Sequence, residues 1–114
     1  MLALSGYSLW YYQDPIDFRK QIDGLILLVD ELDQDPCKGV YIFRNRQADK
    51  VKLLIWDHNG FWMMYKRLEK GRLCFPEIKA GLMAMTSTQL GWMLSGIDIT
   101  KTKELPAVKA TQFS

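Results

Sequence analysis

The stretch from residue 50 to residue 68 constrains the fold more than any other part of the sequence. Residues 50–56 alternate so that Lys50 and Lys52 fall on one side of an extended chain and only aliphatic side chains fall on the other, and residues 61–68 alternate again. Asn59-Gly60 lies between the two runs. This dipeptide is a strong hairpin signal, because both residues tolerate positive φ. The sequence therefore predicts two neighbouring antiparallel strands.

Four further segments are predicted strands. Residues 7–12, 40–43 and 82–85 are rich in apolar and aromatic side chains, and residues 72–75 follow the turn at Gly71. Short turns between consecutive strands favour an antiparallel meander. The sequence thus predicts a largely antiparallel sheet of five or six strands, with residues 82–85 at an edge.

One long N-terminal helix is predicted from about Pro15 to Leu32. Asp14-Pro15 is a helix-start signal, because the carboxylate can accept a free backbone N–H and proline fixes a helical φ. Asp35-Pro36 would end the helix. Apolar residues at spacings of three and four form one stripe, which is typical of an amphipathic helix. The stripe consists of Phe18, Ile22, Leu25, Val29 and Leu32.

A short C-terminal helix is predicted over residues 87–95, with Thr86 or Ser87 as its cap and Gly96 after its last turn. The fold class is therefore α+β, with one face of the sheet packed against the long helix and the short helix covering an end or edge. The expected core comprises Phe18, Ile22, Leu25, Val29, Leu32, Ile42, Val51, Leu53, Ile55, Trp62, Met64, Leu90 and Leu94.

The chain has 114 residues, which suits one domain. Residues 1–100 are expected to form this single globular α+β domain. Residues 101–114 show no apolar periodicity, and a disordered C-terminal tail is expected there. No apolar run approaches the roughly 20 residues that span a bilayer. No secretory signal is visible at the N-terminus. We therefore expect no membrane partner and a cytoplasmic location.

The net charge of +2 conceals a polarised chain. Residues 1–37 contain seven acidic and two basic residues, whereas residues 38–72 contain nine basic and three acidic residues. The basic segment overlaps the predicted hairpin and its turns. Its candidate nucleic-acid-binding residues are Arg44, Arg46, Lys50, Lys52, Lys66, Arg67, Lys70 and Arg72.

These cations permit two interpretations. They could neutralise phosphates while nearby aromatic side chains stack on unpaired bases. They could equally be ordinary solubilising groups at strand ends, since lysine on an edge strand opposes aggregation. If they contact DNA, exchanging Lys52 and Arg67 together for Glu is expected to abolish DNA retention and to leave the fold intact.

Residue types that perform catalysis or bind metals are sparse. Cys37 and Cys74 form no CxxC pair, and His58 cannot complete a four-ligand zinc site with them. The acidic residues cluster around the first helix, where caps and a solvated helix face explain them. The sequence has no glycine-rich phosphate loop and no nucleophile elbow. We expect no enzyme activity, no metal, no cofactor and no small-molecule substrate.

Several segments taken in order resemble a known family. They are Asp17-Phe18-Arg19-Lys20 with Asp23-Gly24-Leu25, Phe43-Arg44-Asn45-Arg46, residues 50–57, Asn59-Gly60-Phe61-Trp62, residues 65–72 and residues 90–98. Together they resemble the TnpB accessory proteins of the sixty-six class of bacterial insertion sequences, which are distinct from the RNA-guided nuclease of the same name. The resemblance covers about residues 7–99, and Gln21 and Ser95 depart from the family pattern. It implies a role in transposition beside a separate, larger transposase, and it implies no catalytic residue.

Two functions remain open at this point. The first is a non-catalytic accessory protein for transposition that contacts DNA, at the ends of the insertion sequence, through a basic β-hairpin surface. Contact with the backbone or with a single strand is favoured over base reading, because the sequence shows no basic recognition helix. The alternative is an adaptor that docks the transposase, or a second copy in a homo-oligomer, without touching DNA.

Overall fold

A computed structural model describes residues 6–76 and 81–95. In chain order, its elements are β1 (Leu9–Tyr12), α1 (Ile22–Asp30), β2 (Val40–Arg44), β3 (Lys50–Asp57), β4 (Gly60–Arg67), β5 (Leu82–Met85) and α2 (Ser87–Leu94). The strands form one sheet in the order β4-β3-β2-β1-β5. Neither helix among the described residues is long and apolar enough to cross a membrane. The predicted tail over residues 101–114 and the helix-ending role of Gly96 lie outside the described residues.

The sheet is mixed, so the predicted antiparallel meander is wrong, although three of the four strand pairs are antiparallel. β1 and β2 run parallel, while β5 with β1, β2 with β3 and β3 with β4 run antiparallel. The β1–β2 connection contains α1, and a long crossover of this kind is what parallel strands require. The hairpin of β3 and β4 and the edge position of β5 are confirmed, and the fold class is α+β.

The predicted long helix is also wrong. α1 spans only Ile22–Asp30, and residues 13–21 form an irregular segment, the N-terminal loop. The sheet holds this loop, because the N–H of Ile16 donates to the carbonyl of Arg44 at 2.9 Å and the ammonium of Lys52 binds two loop carbonyls. A helix through the loop would need those carbonyls, so tertiary contacts override the Asp-Pro start signal.

The helix also ends earlier than predicted. Asp33 adopts a left-handed backbone conformation with φ of 56°, and the N–H of Gln34 then donates back to the carbonyl of Val29. This reversal ends α1 before Leu32 can add another turn.

Both faces of the sheet are covered. On one face, Leu25 and Val29 of α1 pack with Tyr41, Phe43 and Leu54. On the other face, α2 packs against the sheet, so α2 covers a face and not an end or edge. That second cluster contains Leu9, Tyr11, Val40, Ile42, Val51, Leu53, Ile55, Leu73, Met85, Leu90 and Met93. β2 and β3 are therefore buried on both sides, which explains their long apolar runs.

Two expected core residues are exposed. Trp62 and Met64 lie on β4, which forms an edge of the sheet and extends beyond the cover that α2 provides. The segment after β4 is not the predicted strand over residues 72–75. It crosses the second face instead, where the ring of Phe75 stacks on Tyr11 with centroids 5.4 Å apart.

The α2 cap falls where the sequence predicts it, whereas the loop of the β3–β4 hairpin is not Asn59-Gly60. The predicted cap of α2 is confirmed, since the Thr86 hydroxyl accepts the N–H of Gln89 and the Gln89 side chain accepts the N–H of Thr86. In the β3–β4 hairpin, however, Asp57 pairs with Gly60, so His58 and Asn59 form the loop. His58 adopts the positive φ, of 56°, and Gly60 is the first residue of β4.

Candidate nucleic-acid interface

Five of the predicted cations meet at one end of the sheet. Lys50 opens β3 directly opposite Arg67, the last residue of β4. The segment after β4 runs beside the β2–β3 turn, because the N–H of Leu68 donates to the carbonyl of Asp49 and the N–H of Leu73 to that of Ala48, both at 2.7 Å. We call this surface the basic end, and it comprises Arg46, Lys50, Arg67, Lys70 and Arg72.

The β2–β3 turn is fixed by a side chain that the sequence analysis did not single out. Asn45 is buried, and its carbonyl oxygen accepts the N–H groups of Asp49 and Lys50 at 3.1 and 3.0 Å. Its amide donates to the Asp49 carboxylate at 2.6 Å, and Ala48 adopts a positive φ of 58°. This network holds the turn that carries Arg46 and keeps the Asp49 carboxylate turned toward Asn45.

The N-terminal loop borders the basic end and adds two cations, Arg19 and Lys20. A groove of about 390 Å³ separates the loop from the β2–β3 turn, and it is lined by residues 15–18, residues 45–47 and Lys50. Sequence reasoning missed Arg19 and Lys20 because it placed them on the solvent side of a helix. Arg19 and Lys20 lie near the basic end only because the loop docks against the sheet, and no local sequence signal indicates that docking.

Two exposed ion pairs lie within this region. The guanidinium of Arg19 contacts the Asp17 carboxylate at 2.6 Å, and that of Arg67 contacts Glu69 at 2.9 Å. Hydrogen bonds from Arg19 lower the pKa of Asp17 from 3.8 to about 2. Exposed pairs of this type contribute little to stability. In the described part of the chain, no ion pair engages the other four cations of the basic end.

Four of the seven acidic residues among residues 1–37 lie at the end of the sheet away from the basic end. Residues 30–35 follow α1 and lead to the start of β2, and Asp57 closes β3 at that same end of the sheet. This surface, the acidic end, lies opposite the basic end along the strands. It comprises Asp30, Glu31, Asp33, Asp35 and Asp57, with Lys38 as a single cation among residues 30–40. The folded domain therefore keeps the charge polarity of the sequence in part, because Asp14 and Asp17 stay on the N-terminal loop beside the basic end.

Lys52 is a predicted contact residue that the structure buries. It is only 1% exposed, and its ammonium donates to the carbonyls of Phe18 and Lys20 at 2.9 and 2.7 Å. The rings of Phe18 and Tyr65 flank it, with centroids 4.9 and 5.6 Å away. Burial lowers the pKa of Lys52, and the Asp17 carboxylate offsets part of that effect. A Lys52→Glu exchange would set a carboxylate against two carbonyl oxygens, so we now expect it to destabilise the fold, contrary to the expectation from the sequence.

The last two predicted residues lie at the same end of the sheet as the basic end but on the face that α2 covers. Arg44 is half-buried, donates to the hydroxyl of Tyr11 at 2.8 Å and lies over the ring of Phe75. Lys66 is exposed on the face that α2 covers, where it donates to the carbonyl of Leu94 at 2.9 Å. Burial raises the pKa of the Tyr11 phenol, and the Arg44 guanidinium opposes that rise. Arg44 therefore links β2 to β1 and to the N-terminal loop, and Lys66 links β4 to the end of α2.

An aromatic side chain lies beside the basic end. Tyr65 is 50% exposed and shares a face of β4 with Arg67, two residues away. Its ring meets Phe18 edge to face, with centroids 5.8 Å apart. Within residues 6–76 and 81–95, no three side chains of His, Cys, Asp or Glu come together as possible metal ligands.

Fold and site together define a small α+β module with a mixed sheet, whose distinguishing surface is a cluster of cations at one end of the sheet. Comparison with known families gives the particular assignment. The chain belongs to the IS66 Orf2-like proteins, whose family model matches residues 7–104. This confirms the family that the sequence segments indicated, and the family associates the chain with transposition as an accessory protein.

Two relatives from Sinorhizobium fredii (strain NBRC 101917 / NGR234) are similar over most of their length. The chain is 31% identical to the uncharacterized protein y4jC over 111 residues, which is 96% of this chain and 95% of y4jC. It is 34% identical to the uncharacterized protein y4hO over 91 residues, which is 78% of this chain and 79% of y4hO. No solved structure matches the chain.

Proposed function

We propose that the protein is a non-catalytic accessory factor in transposition that holds DNA through its basic end. The observation that carries this proposal is the gathering of five cations at one end of the sheet, while Asp30, Glu31, Asp33, Asp35 and Asp57 lie at the other end. The DNA at the ends of the insertion sequence is the proposed ligand. The transposase of the same element is a proposed protein partner.

Electrostatics favour contact with the DNA backbone. The cations of the basic end belong to a turn, two strand ends and the segment after β4, and both helices are poor in cations. Lysine and arginine presented in this way neutralise phosphates and release counterions. Reading base edges would require arginines or amides inserted into a groove, usually from a helix or ribbon. We therefore infer binding with little dependence on base sequence.

Tyr65 supports contact with an unpaired strand. Its half-exposed ring shares a face with Arg67 and Lys50, so a backbone held by these cations would bring a base within reach of the ring. Stacking of a base on an aromatic ring tolerates any base identity. A single strand at the element's ends is thus the preferred form of the ligand.

Fluorescence anisotropy of the full chain with labelled terminal DNA, single-stranded and duplex, tests this proposal across a salt series. Each phosphate contacted on duplex contributes about −0.9 to the log–log slope of affinity against salt. Contact by all five cations of the basic end would give a slope of about −4.5 on duplex and about −3.5 on a single strand, at about −0.7 per phosphate. A salt-independent affinity, or no binding at low salt, would contradict the proposal.

A matched pair of charge reversals locates the contact. Lys50→Glu changes the basic end, and Lys38→Glu makes the same change in net charge at the acidic end. Lys50→Glu is expected to weaken binding roughly tenfold and to reduce the slope by about 1, while Lys38→Glu leaves the slope unchanged. Equal effects of the two exchanges would show a non-local charge effect. Absence of DNA binding together with co-purification of the transposase would favour the adaptor function instead.

A further inference from the structure

β4 is an edge strand with free backbone groups. It pairs with β3 on one side, and within the described ranges no strand pairs with its other side. The N–H of Leu68 donates to Asp49 of the β3 side. Because hydrogen-bonded residues alternate along an antiparallel pair, the odd-numbered residues Phe61, Met63 and Tyr65 direct their N–H and C=O groups away from the sheet. β4 therefore presents a row of unused donors and acceptors.

The same strand carries most of the exposed apolar surface. Of the large hydrophobic side chains exposed in the described residues, Trp62 (53%), Met64 (37%) and Tyr65 (50%) lie on β4, and Leu27 (60%) lies on α1. Edge strands are usually short or carry charges along their length. β4 is eight residues long, and its charges are confined to Lys66 and Arg67 at its end. β5, the opposite edge, has four residues.

The pattern of β4 is self-complementary about Met63. If two copies of β4 pair antiparallel with Met63 opposite Met63, Phe61 of one copy faces Tyr65 of the second on the α1 side of the sheet. On the α2 side, Trp62 faces Met64 of the second copy. Aromatic–aromatic and sulfur–aromatic pairs are both favourable cross-strand contacts. The register also sets the outward N–H and C=O groups of the two strands opposite each other.

Charge selects this arrangement over a parallel one. In the antiparallel pair, Lys66 faces Gly60 and Arg67 faces Asn59 of the second copy, so no cations oppose each other across the strands. The basic end of one copy then lies beside the acidic end of the other, on both sides of the two-fold axis. A parallel pair would align the two basic ends and repel.

We propose that the protein forms a symmetric dimer through antiparallel pairing of β4, which makes one continuous sheet from two copies. Such an interface is isologous, as a two-fold axis requires. It leaves the two basic ends at opposite ends of the interface, each beside the acidic end of the second copy, and it does not depend on DNA.

Sedimentation velocity of the full chain across micromolar concentrations tests the dimer. The expected species has twice the mass of the chain. Met64→Lys and Trp62→Lys should each raise the dimer dissociation constant by about tenfold or more, because each sets a charge in the apolar pairing. Leu27→Lys, the matched change on α1, should leave the dimer unaltered. A monomeric wild-type chain, or a dimer indifferent to both β4 exchanges, would overturn the proposal.

Cysteine cross-linking tests the register. In a Cys37→Ser, Cys74→Ser background, Met63→Cys should form a covalent dimer under mild oxidation, because residues directly opposite each other lie roughly 5.5 Å apart at Cα. Tyr65→Cys should not, since two copies of residue 65 would be roughly 13 Å apart along the strands. Cross-linking through residue 65 in preference to residue 63 would overturn this register.

Discussion

Replacing Lys52 by Met removes the ammonium and keeps most of the side-chain volume. It deletes two charge-assisted hydrogen bonds, to the carbonyls of Phe18 and Lys20, and the cation between two aromatic rings. Hydrogen bonds to charged groups contribute about 1.5–3 kcal/mol each, and cation–π contacts about 0.5–2 kcal/mol. The exchange also removes the cost of burying an ammonium, which is several kcal/mol and offsets part of the lost stability.

The expected net loss of unfolding free energy is therefore about 2–4 kcal/mol for Lys52→Met. Lys50→Met is the matched control two residues earlier on β3. Its ammonium makes no hydrogen bond to the described residues, and the exchange should stay within about 0.5 kcal/mol of the wild type. Chemical denaturation followed by tryptophan fluorescence measures both. Equal losses for the two variants would refute a structural role for the buried ammonium.

Hydrogen exchange localises the effect of Lys52→Met. The amide of Ile16, which donates to the carbonyl of Arg44, should lose protection from exchange. The amide of Gln89, in the α2 cap on the other face of the sheet, should keep its protection. Uniform loss of protection across the domain would mean that Lys52 stabilises the core in general and not the N-terminal loop.

Two further measurements follow from the structure. A Cβ at Gly39 would lie 2.9 Å from the Ser8 carbonyl oxygen, whereas one at Gly91 in α2 meets nothing within 4 Å. Gly39→Ala should thus destabilise by about 1–3 kcal/mol and Gly91→Ala stabilise by about 0.5–1 kcal/mol in denaturant titrations, and shifts of the same sign would contradict this packing. The pKa of Asp17, about 2 in the folded protein, should rise toward 3.8 in Arg19→Ala, as followed by carboxyl NMR. Because the folded pKa is depressed, the stability that this pair adds is present above pH 3.8 and is lost as pH falls through about 2, and an unchanged pKa in the variant would contradict the assigned cause.

Local sequence signals predicted the parts of the fold that local interactions determine. Alternation and a turn signal were enough for the β3–β4 hairpin, and the Thr86 cap was enough for α2. The prediction of a long helix was wrong because Lys52, more than thirty residues away in the chain, binds the carbonyls of residues 18 and 20. Alternation alone gave no sign that this lysine is buried while Lys50 is not.

In the candidate site, too, the residues that local signals predict differ from those that only non-local contacts bring in. Residues close to one another in the hairpin and its turns, such as Arg46, Lys50 and Arg67, were predicted from their positions in the chain and do lie together. Arg19 and Lys20 join them only because the N-terminal loop docks on the end of β2. The parallel pairing of β1 with β2 sets that docking, and it is a non-local contact.

Mapping the DNA contacts by NMR would show directly whether the basic end holds the polyanion. Amide shifts of the labelled full chain, followed during a titration with terminal single-stranded DNA at low salt, should change over residues 17–20, 45–50 and 65–73. Residues 30–38 and 57–59 of the acidic end should not change. Shifts centred on the acidic end, or spread evenly over the domain, would contradict DNA binding at the basic end.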